Sequence, residues 1–594
     1  MARLFNPLWL EEPEYSVAVL VLAMVAETQP DRLLADTNHQ STKVQTFKID
    51  WMLVAFIGLL VQTFWVWQLE QPSYMDAFYY ATNGQRLADG YGFSELVIWQ
   101  FLDDPVGIPT PSHTYWMPLP SLLAAAGYSL RDDFTGGQLA FWLLAGLLPL
   151  LAYIISWRLV GQRWQAWVAA IFTTVAGYYA AFLGQPSTFA PFAWAGGSCL
   201  LALGLAASNS STRELIQPNE GIKPKTKRKH WWLVAGVTAG FAHLTRADGS
   251  LLLLVACLIW LIEAWGLWKR RRDQPEHMSL SETSVVLSYK LFSHLALLIS
   301  GYFLIMGWWF IRNWIVLGRP LSTAGMQSIF LTTYDDLFAY GRVIGLQSFL
   351  DWGWSNIILS RIQGSWLAIQ TLIAIPGLIF LVPFILFAFI HLYRRLSSRY
   401  LLRPLLFYTL TLFLSAALVF TFPGTRGSLF HSSIALWPWT TALAAAGIGL
   451  SVDLAADRLS HWQPERAKRI FSGLFILVAL ILTIFVSQYR ISPPEEPEIY
   501  REVSQIVPAT SVVMAGNAPA LHYFTGLPAV SVPNEAVEVM LQAADRYGVT
   551  HLLLNENRPR PLDDVYQGKV VHPRLQLIWS SDQAKLYEVG TLPE

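Results

Sequence analysis

The carboxylate of Asp76 follows closely on an apolar run of membrane length, in the stretch "QPSYMDAFYYATNGQRLADGYGFSE" over residues 71–95. An Asp at the start of a helix is ordinarily an N-cap, and capping is the simpler interpretation. Helical spacing places Tyr79 and Tyr80 on the same side as Asp76, and an aromatic surface raises the basicity of a carboxylate by desolvation. The alternative interpretation is that Asp76 accepts a proton in catalysis.

Three arginines stand at the ends of apolar runs, where a charge is costly unless it is paired or functional. Arg246, in "LTRADG", has Asp248 as a neighbour with which it could pair. Arg312 either snorkels to lipid phosphates or binds an anion. Arg426, in "FPGTRGSLFHSS", lies between two glycines and precedes His431. We interpret this last stretch as a flexible basic loop that suits a phosphate or diphosphate.

Other residues of the stretch around Asp76 are weaker candidates. A lone histidine near a membrane boundary is more often structural, and His113 is considered only because its loop also carries Asp76. Aromatic residues between 91 and 116, Trp116 among them, fit an interfacial belt. Some of them could line a sugar site, because carbohydrate faces stack on aromatic rings.

The composition indicates what must position these residues. The chain has 594 residues, of which 54% are hydrophobic and 14% are charged, far from the balance of soluble proteins. Lys and Arg together number 41, as do Asp and Glu, so global charge gives no support for a nucleic-acid partner. Cys199 and Cys257 both lie in apolar runs, which argues against a disulfide framework or a thiolate metal site. We therefore expect an integral membrane protein.

Apolar runs of about 20 residues are needed to cross a bilayer. Scanning for such runs predicts an α-helical polytopic protein with about eleven transmembrane helices. The fifth and sixth runs are separated only by "TRADG". The predicted spans are residues 51–69, 138–156, 164–183, 188–207, 231–246, 249–268, 291–312, 367–391, 403–421, 432–452 and 470–488.

Basic residues in the short connections predict the orientation. With eleven spans, all the basic clusters fall on the cytoplasmic side if residues 1–48 form a cytoplasmic tail. The apolar run at 16–26 in that tail lacks the basic flank of a signal peptide. The clusters are Arg158 and Arg163; Lys223 to Lys229; Lys269 to Arg272; Arg394 to Arg399; and Arg466 to Arg469.

The same orientation predicts which segments face outside. Residues 70–137 form the first outer loop, and 313–366, 422–431 and everything after 489 share its side. The segment 489–594 opens with the linker "SPPEEPE" and then alternates strand-like runs with one helical run. This pattern predicts a small extracytoplasmic α/β domain. Its "VMAGNAP" has too few glycines for a phosphate-binding loop, so nucleotide binding there is not expected.

The order of these parts resembles the GT-C membrane glycosyltransferases, the superfamily of protein O-mannosyltransferases, aminoarabinose transferases and the oligosaccharyltransferase catalytic subunit. The family has an acidic residue directly after the first span, a "D..YY...A..L..G.G" helix and a "yW.PL.P" turn. "GFAHLTRADGSLLLL" at 240–254 and "RNWIVLGRPLST" at 312–323 are similar to two further family segments. The matching residues of the first loop are Asp76, Tyr79, Tyr80, Leu87, Gly90, Gly92, Phe93, Tyr115, Trp116, Pro118, Leu119 and Pro120.

The resemblance implies a GT-C transmembrane domain over 49–488 and a bacterial plasma-membrane enzyme of the cell envelope. Such an enzyme moves a sugar from a polyprenyl-phosphate donor to a lipid, glycan or protein acceptor, with inversion. Asp76 would be the base, and Arg246, Arg312 and Arg426 would hold the phosphate, since arginine clamps phosphate without a metal. Tyr79, Tyr80, His113, Trp116 and His431 would line the substrate site.

One departure from the family bears on metals. Several relatives carry paired acidic residues in this loop, whereas position 77 is Ala. Asp103 and Asp104 could supply a second acid, but "DDP" also fits a turn. We therefore expect no cofactor, although a divalent metal stays open.

Two other functions remain open from the sequence. A polysaccharide polymerase or ligase would use a diphosphate-linked oligosaccharide instead. A multi-pass transporter or lipid flippase would be expected to show inverted repeats and charges near the membrane midplane. The charges of this chain lie at span ends and in the outer segments.

Overall fold

The computed structural model of the chain describes residues 37–210, 229–273, 282–459, 461–491, 497–556 and 558–590. Most of the predicted cytoplasmic tail, the basic run at 223–228 and residues 492–496 of the predicted linker lie outside the described residues, whereas Pro497 and Glu498 begin the helix Pro497–Ile506. The helices of the described chain are Thr37–Trp67, Met75–Ala88, Leu119–Tyr128, Phe134–Val160, Arg163–Val175, Ala180–Leu183, Phe189–Ser210, His230–Thr245, Ser250–Asp273, Glu282–Leu317, Thr323–Gln327, Leu346–Asp351, Trp354–Ala374, Val382–Tyr393, Leu396–Leu414, Thr421–Pro423, Leu429–Ser432, Trp437–Ala456, Pro464–Ile491, Pro497–Ile506, Ala518–Thr525, Val537–Tyr547 and Asp563–Tyr566.

Ten helical segments of the described chain are long and apolar enough to cross a membrane. They confirm the predicted class of an α-helical polytopic protein with a small C-terminal sheet region. The predicted span at 231–246 is the shorter helix His230–Thr245, which has 16 residues. The ten segments are Lys48–Trp67, Phe134–Val160, Arg163–Leu183, Phe189–Ser208, Ala247–Gly266, Leu291–Leu317, Trp354–Ala374, Leu396–Val419, Thr421–Ala456 and Pro464–Gln488.

One predicted span is wrong. The run 367–391 is not a single helix, because the helix Trp354–Ala374 ends inside the run and a new helix, Val382–Tyr393, begins within it. Pro376 lacks the N–H that a continuing helix needs, and Gly377 follows it, a pair that favours a turn. The apolar composition of the run hid this break.

The predicted outer connection at 422–431 is also not a loop. The chain is helical throughout Thr421–Ala456, and the turns Ser415–Val419 and Gly424–Ser428 are π-helical. Each π turn inserts an extra residue into a helix, and such turns are common at functional sites. Arg426 therefore stands on a helical turn whose backbone is hydrogen-bonded, rather than on a flexible loop.

The first outer loop is compact. In the helix Met75–Ala88, Gly84 faces the helix Leu119–Tyr128 so closely that a Cβ there would lie 2.7 Å from that of Ala124. Strands β1 (Ser94–Glu95) and β3 (Thr110–Pro111) pair antiparallel within the loop. The next span begins where the carboxylate of Asp133 accepts the N–H of Gly136 as an N-cap.

A six-stranded sheet joins this loop to the C-terminal segment. Strand β2 (Val97–Ile98) of the loop pairs parallel with β5 (Ala529–Ser531) at one edge. The order is β2-β5-β4-β6-β8-β7, where β4 is Val513–Ala515, β6 is His551–Asn555, β7 is Leu575–Ser580 and β8 is Ala584–Val589. Phe78, Tyr79, Tyr80 and Trp99 share one apolar core with this sheet. The C-terminal segment predicted as a separate domain is therefore packed together with the first outer loop.

The segment between the spans Leu291–Leu317 and Trp354–Ala374 lies against the same unit. The N–H of Asn534 donates to the carbonyl of Phe338 at 3.1 Å, and Arg546 forms an ion pair with Asp104 at 2.7 Å. Three segments that are far apart in sequence thus meet on one side of the spans. We call this the Asp76 side.

Candidate functional site

Asp76 is the second residue of the helix Met75–Ala88. The N-cap is Tyr74, whose side chain makes no capping hydrogen bond, so the interpretation of Asp76 as the N-cap is wrong. The carboxylate is half-buried and accepts a hydrogen bond from its own backbone N–H. No other residue in the described ranges donates a hydrogen bond or an ion pair to it. A bound hydroxyl could therefore reach this carboxylate without displacing a protein donor.

The surroundings make Asp76 a stronger base than an exposed carboxylate. Burial raises its pKa from 3.8 to about 6, and the nearby guanidinium of Arg246 offsets only part of this rise. Burial, and next the charge of Asp76, raise the pKa of Tyr74 and of Tyr80, so both hydroxyl groups lie in the field of this carboxylate. A base with a pKa near neutrality suits general-base catalysis.

Arg246 is already paired. Its Nε lies 3.0 Å from Oδ1 of Asp248, and both side chains are largely buried. The hydroxyl groups of Ser428 and Ser432 donate to Oδ2 of Asp248 at 2.6 and 2.5 Å, and the guanidinium of Arg246 donates to the same two hydroxyl oxygens. This arrangement matches the pairing alternative that the sequence offered. The charge of Arg246 still acts on Asp76, but its hydrogen bonds are used within the protein.

Arg426 has no such partner. It is exposed, and within the described part of the chain no carboxylate pairs with it and no acceptor binds its guanidinium. Its guanidinium carbon lies 5.5 Å from the ring centroid of Tyr334. Burial raises the pKa of Tyr334 to about 12; the charge of Asp76 adds to this rise and that of Arg426 opposes it. Tyr334 therefore contacts the guanidinium of Arg426 and lies within electrostatic range of Asp76.

Arg312 is placed differently from the prediction. Its Nη2 donates to the carbonyl oxygens of Ser112 at 2.9 Å and of Phe93 at 3.3 Å, and its Nη1 donates to Asn313 at 3.0 Å. The guanidinium also lies over the ring of Trp309, 4.7 Å from its centroid. These contacts fasten the first outer loop to the span Leu291–Leu317. Several donors of Arg312 are therefore used within the protein, and its contact with phosphate stays a prediction.

Tyr79 and His113 are also structural. Each is 1% exposed. The N–H of His113 donates to the hydroxyl oxygen of Tyr79 at 2.8 Å, and its ring nitrogens contact the hydroxyls of Ser112 and Ser121 at 2.8 and 2.9 Å. Burial lowers the pKa of His113 to about 3, so its ring is neutral. Both rings are buried and hydrogen-bonded within the loop, and their predicted contact with substrate stays a prediction.

Tyr80, Trp116 and His431 lie nearer to the carboxylate. Tyr80 is 1% exposed, so its ring belongs to the core of the loop. The charge of Asp76 nevertheless contributes to raising the pKa of its hydroxyl. Trp116 is half-buried and stacks on Trp99 with centroids 3.9 Å apart. His431 stacks on Phe189 at 4.2 Å, and its Nδ1 contacts the hydroxyl of Thr188 at 2.8 Å. Trp116 and His431 stay predictions as walls of a substrate site.

Three residues of this site were not found from the sequence as site residues. They are Tyr74, Tyr115 and Tyr334, all in electrostatic range of Asp76. Tyr115 belongs to the "yW.PL.P" motif and was noticed only as part of it. Tyr334 lies in a different outer segment, where the sequence carries no signal of its neighbours.

The second acid that the sequence offered is used elsewhere. Asp103 accepts hydrogen bonds from the hydroxyl of Ser322 at 2.8 Å and from the N–H of Ala324 at 3.0 Å. Asp104 pairs with Arg546 of the C-terminal segment. Both aspartates therefore join the outer segments to one another rather than accompany Asp76.

Solved structures of three enzymes are similar to this chain. The oligosaccharyltransferase of Archaeoglobus fulgidus in the apo form is 13% identical, with a TM-score of 0.48, over 85% of this chain and 69% of that chain. ArnT from Cupriavidus metallidurans bound to undecaprenyl phosphate is 13% identical, with a TM-score of 0.49, over 90% and 97%. The S. cerevisiae protein O-mannosyltransferase Pmt1-Pmt2 complex bound to the sugar donor is 16% identical, with a TM-score of 0.31, over 50% and 37%.

All three are GT-C glycosyltransferases, the superfamily that the motifs of the first outer loop resemble. No protein-family profile matches the chain. No curated protein sequence matches it either. At these identities the similarity concerns the fold alone, and the chemistry rests on this chain's own residues.

Proposed function

We propose that this protein is an inverting glycosyltransferase that moves a sugar from a polyprenyl-phosphate donor to an acceptor hydroxyl. The observation that carries the proposal is the pairing of unlike free groups at the end of a membrane span. Asp76 offers a carboxylate with a pKa of about 6, and Arg426 offers an unpaired guanidinium next to Tyr334, a residue that is in electrostatic range of Asp76. A base and an anion-binding cation are the two groups that this reaction needs.

The reaction follows from these roles. The acceptor hydroxyl loses its proton to Asp76 while its oxygen forms a bond with the anomeric carbon of the sugar. The bond between this carbon and the phosphate oxygen breaks, and its electron pair leaves with the phosphate. Arg426 binds the developing charge of the phosphate, which carries the prenyl chain in the membrane. Attack and departure on opposite faces of the sugar invert the anomeric centre.

The placement in the cell is part of the proposal. The Asp76 side would face outward from the plasma membrane of a bacterium, with the N-terminus in the cytoplasm and the C-terminal segment outside. The basic connections on the opposite side support this orientation through the positive-inside rule. The acceptor, a lipid, glycan or protein, would then arrive from the aqueous side.

Sugar transfer in reconstituted vesicles tests the proposal. Wild type, Asp76→Asn and Asp89→Asn would be given a panel of polyprenyl-phosphate sugars and, in parallel, diphosphate-linked oligosaccharides. Asp89 is the matched control, because it is exposed and lies at the other end of the same helix. We expect transfer from a monophosphate donor by wild type and Asp89→Asn, and none by a folded Asp76→Asn.

Other outcomes separate the alternatives. Transfer from the diphosphate donor alone would make the protein a polymerase or ligase. Equal transfer by all three proteins would remove Asp76 from the mechanism. Absence of transfer by wild type from any donor would contradict a glycosyltransferase and favour transport.

A further inference from the structure

Tyr334 begins a short 3-10 helix, Tyr334–Phe338, that the protein holds unusually firmly. The carboxylate of Asp336 accepts the backbone N–H groups of Thr332 and Thr333 at 2.8 and 2.9 Å. It also accepts the hydroxyl groups of the same two threonines at 2.9 and 3.0 Å. Asp336 is 3% exposed, so these bonds are shielded from water. The direction in which Tyr334 leaves the backbone therefore depends on Asp336.

Asp336 is in turn held by Arg342. The Nη1 of Arg342 lies 2.7 Å from Oδ1 of Asp336. The backbone hydrogen bonds and the charge of Arg342 keep the pKa of Asp336 below its usual value, against the opposing effect of burial. The carboxylate thus stays ionised, and a charge-assisted bond of this kind is stronger than a neutral one.

The other end of this chain of contacts is Glu535 in the C-terminal segment. Its Oε1 accepts the Nε of Arg342 at 3.1 Å, and its Oε2 accepts the N–H groups of Tyr340 and Gly341, both at 2.9 Å. The side chain of Glu535 is only 9% exposed. One buried carboxylate therefore binds three donors of the segment that carries Tyr334. We call Glu535, Arg342 and Asp336 the Glu535 network.

We propose that Glu535 is a positioning residue for sugar transfer, an inference that rests on the proposed function. Through Arg342 and Asp336 it fixes the turn that places Tyr334 against Arg426 and in electrostatic range of Asp76. The C-terminal segment then takes part in the reaction without touching the substrate. A small displacement of a group that orients substrate costs rate far more than it costs stability.

The geometry explains why Glu535 rather than another acid does this. Glu535 precedes the helix Val537–Tyr547, whose buried face packs in the core of the six-stranded sheet. It follows Asn534, whose N–H binds the carbonyl of Phe338 at the end of the same turn. The end of the turn is therefore fastened to the C-terminal segment, and Glu535 supplies the charged contact.

Hydrogen exchange over residues 332–342 tests the holding role directly. Glu535→Gln keeps the shape of the side chain and removes its charge. Asp545→Asn is the matched control, because Asp545 pairs with Arg574 within the same C-terminal segment and away from this turn. We expect faster exchange over 332–342 in Glu535→Gln and in Arg342→Met, and wild-type exchange in Asp545→Asn. Unchanged exchange in Glu535→Gln and Arg342→Met would overturn the proposal.

Kinetics test the positioning role. We expect Glu535→Gln to lower kcat about tenfold, an effect within the range for misplaced groups, while the melting temperature stays close to that of Asp545→Asn. In a Tyr334→Ala background the same substitution should lower kcat no further, because the residue through which it acts is gone. A full tenfold loss in that background, or faster exchange with unchanged kcat, would overturn the proposal. A wild-type protein that transfers nothing contradicts the proposed function instead, and the exchange experiment still decides whether Glu535 holds the turn.

Discussion

Asp76 and Glu95 are two carboxyl groups of the same outer loop, and burial raises the pKa of both, to about 6 and about 8. Glu95 is 5% exposed and accepts hydrogen bonds from the hydroxyl of Tyr79 and the amide of Asn83. Asp76 is half-buried, with no other donor among the described residues than its own backbone. A raised pKa marks burial in both cases. Only the group that is also accessible and unpaired has the means to exchange a proton with a substrate.

The two arginines Arg312 and Arg426 repeat this contrast. Both stand near span ends on the Asp76 side, and both contact aromatic rings. Arg312 donates hydrogen bonds to two loop carbonyls, whereas the guanidinium of Arg426 has no hydrogen-bond acceptor within the described chain. In this molecule, groups that build the loop are saturated with partners, and groups that we assign to chemistry are not.

Asp76→Asn is expected to give the largest change, a fall in kcat of about 10²- to 10⁴-fold, the usual contribution of a general base. In the wild-type protein the pKa of Asp76 is higher in the folded state than in the unfolded state. The free energy of unfolding of wild type therefore falls as the pH rises from about 4 through about 6, and that loss persists at neutral pH. The same variant should therefore melt at a higher temperature than wild type at pH 7. Kinetics and thermal denaturation of one preparation check both. A variant that loses activity and melts at a lower temperature than wild type would instead assign a structural role to the Asp76 carboxylate.

Arg426→Met is expected to lower kcat/KM about 10²-fold, the order of effect of one lost donor to a developing anion. Arg426→Lys should recover part of this loss, since the charge remains but the two-pronged geometry does not. Arg319→Met serves as the control, because Arg319 is an exposed arginine of the neighbouring outer segment. Equal effects at positions 319 and 426 would mean that bulk positive charge, and not a phosphate contact, is involved.

The pH profile separates the two carboxyl groups. With Asp76 as the base, kcat/KM should fall about tenfold per pH unit below about 6, where Asp76 becomes protonated, and should be level above it. Transfer assays between pH 4.5 and 9 measure this profile. A transition near pH 8 in place of the one near 6 would assign the proton transfer to the network of Glu95.

Glu95→Gln is expected to give the smallest change, with kcat/KM within about threefold of wild type. This corresponds to a change in activation free energy below about 1 kcal/mol. The folded pKa of Glu95 is about 8 against 4.5, so its ionisation lowers stability as the pH rises from about 4.5 through about 8. The variant should lose this part of the pH dependence of unfolding. Thermal denaturation at pH 5 and pH 9 measures this change in pH dependence. A large loss of activity in Glu95→Gln would contradict the different roles assigned to Asp76 and Glu95.

The sequence predicted most of the spans and drew attention to Asp76 because both depend on local pattern, while the role of Asp76 as the base stays a prediction. Apolar length sets a span, and the charge at its end stands out against the composition. The break at Pro376 was missed because the run was assigned as a span from its apolar composition, and the turn signal of the Pro-Gly pair was given less weight. The burial of His113 and the pairing of Arg312 could not be predicted, because their partners come from the fold of the loop and not from spacing.

The remaining features of the site depend on contacts between distant parts of the chain. The ring of Tyr334 contacts the guanidinium of Arg426, and Glu535 forms an ion pair with Arg342, only after several spans have packed. No local periodicity encodes such neighbours. The pairing of Arg246 with Asp248 is the opposite case, since two residues so close in sequence gave that alternative at once.

The edge strand β2 also bears on biosynthesis. Val97 pairs with Ala529, so the ribosome makes one partner of this ladder before nearly all the spans and the other after them. Strand β2 is therefore synthesised without its partner β5, and its hydrogen-bonding edge stays unpaired until the later spans and the C-terminal segment have been made. The sheet can close only when synthesis is almost finished. Assembly of the Asp76 side is thus coupled to completion of the chain, and a truncated product would be left without it.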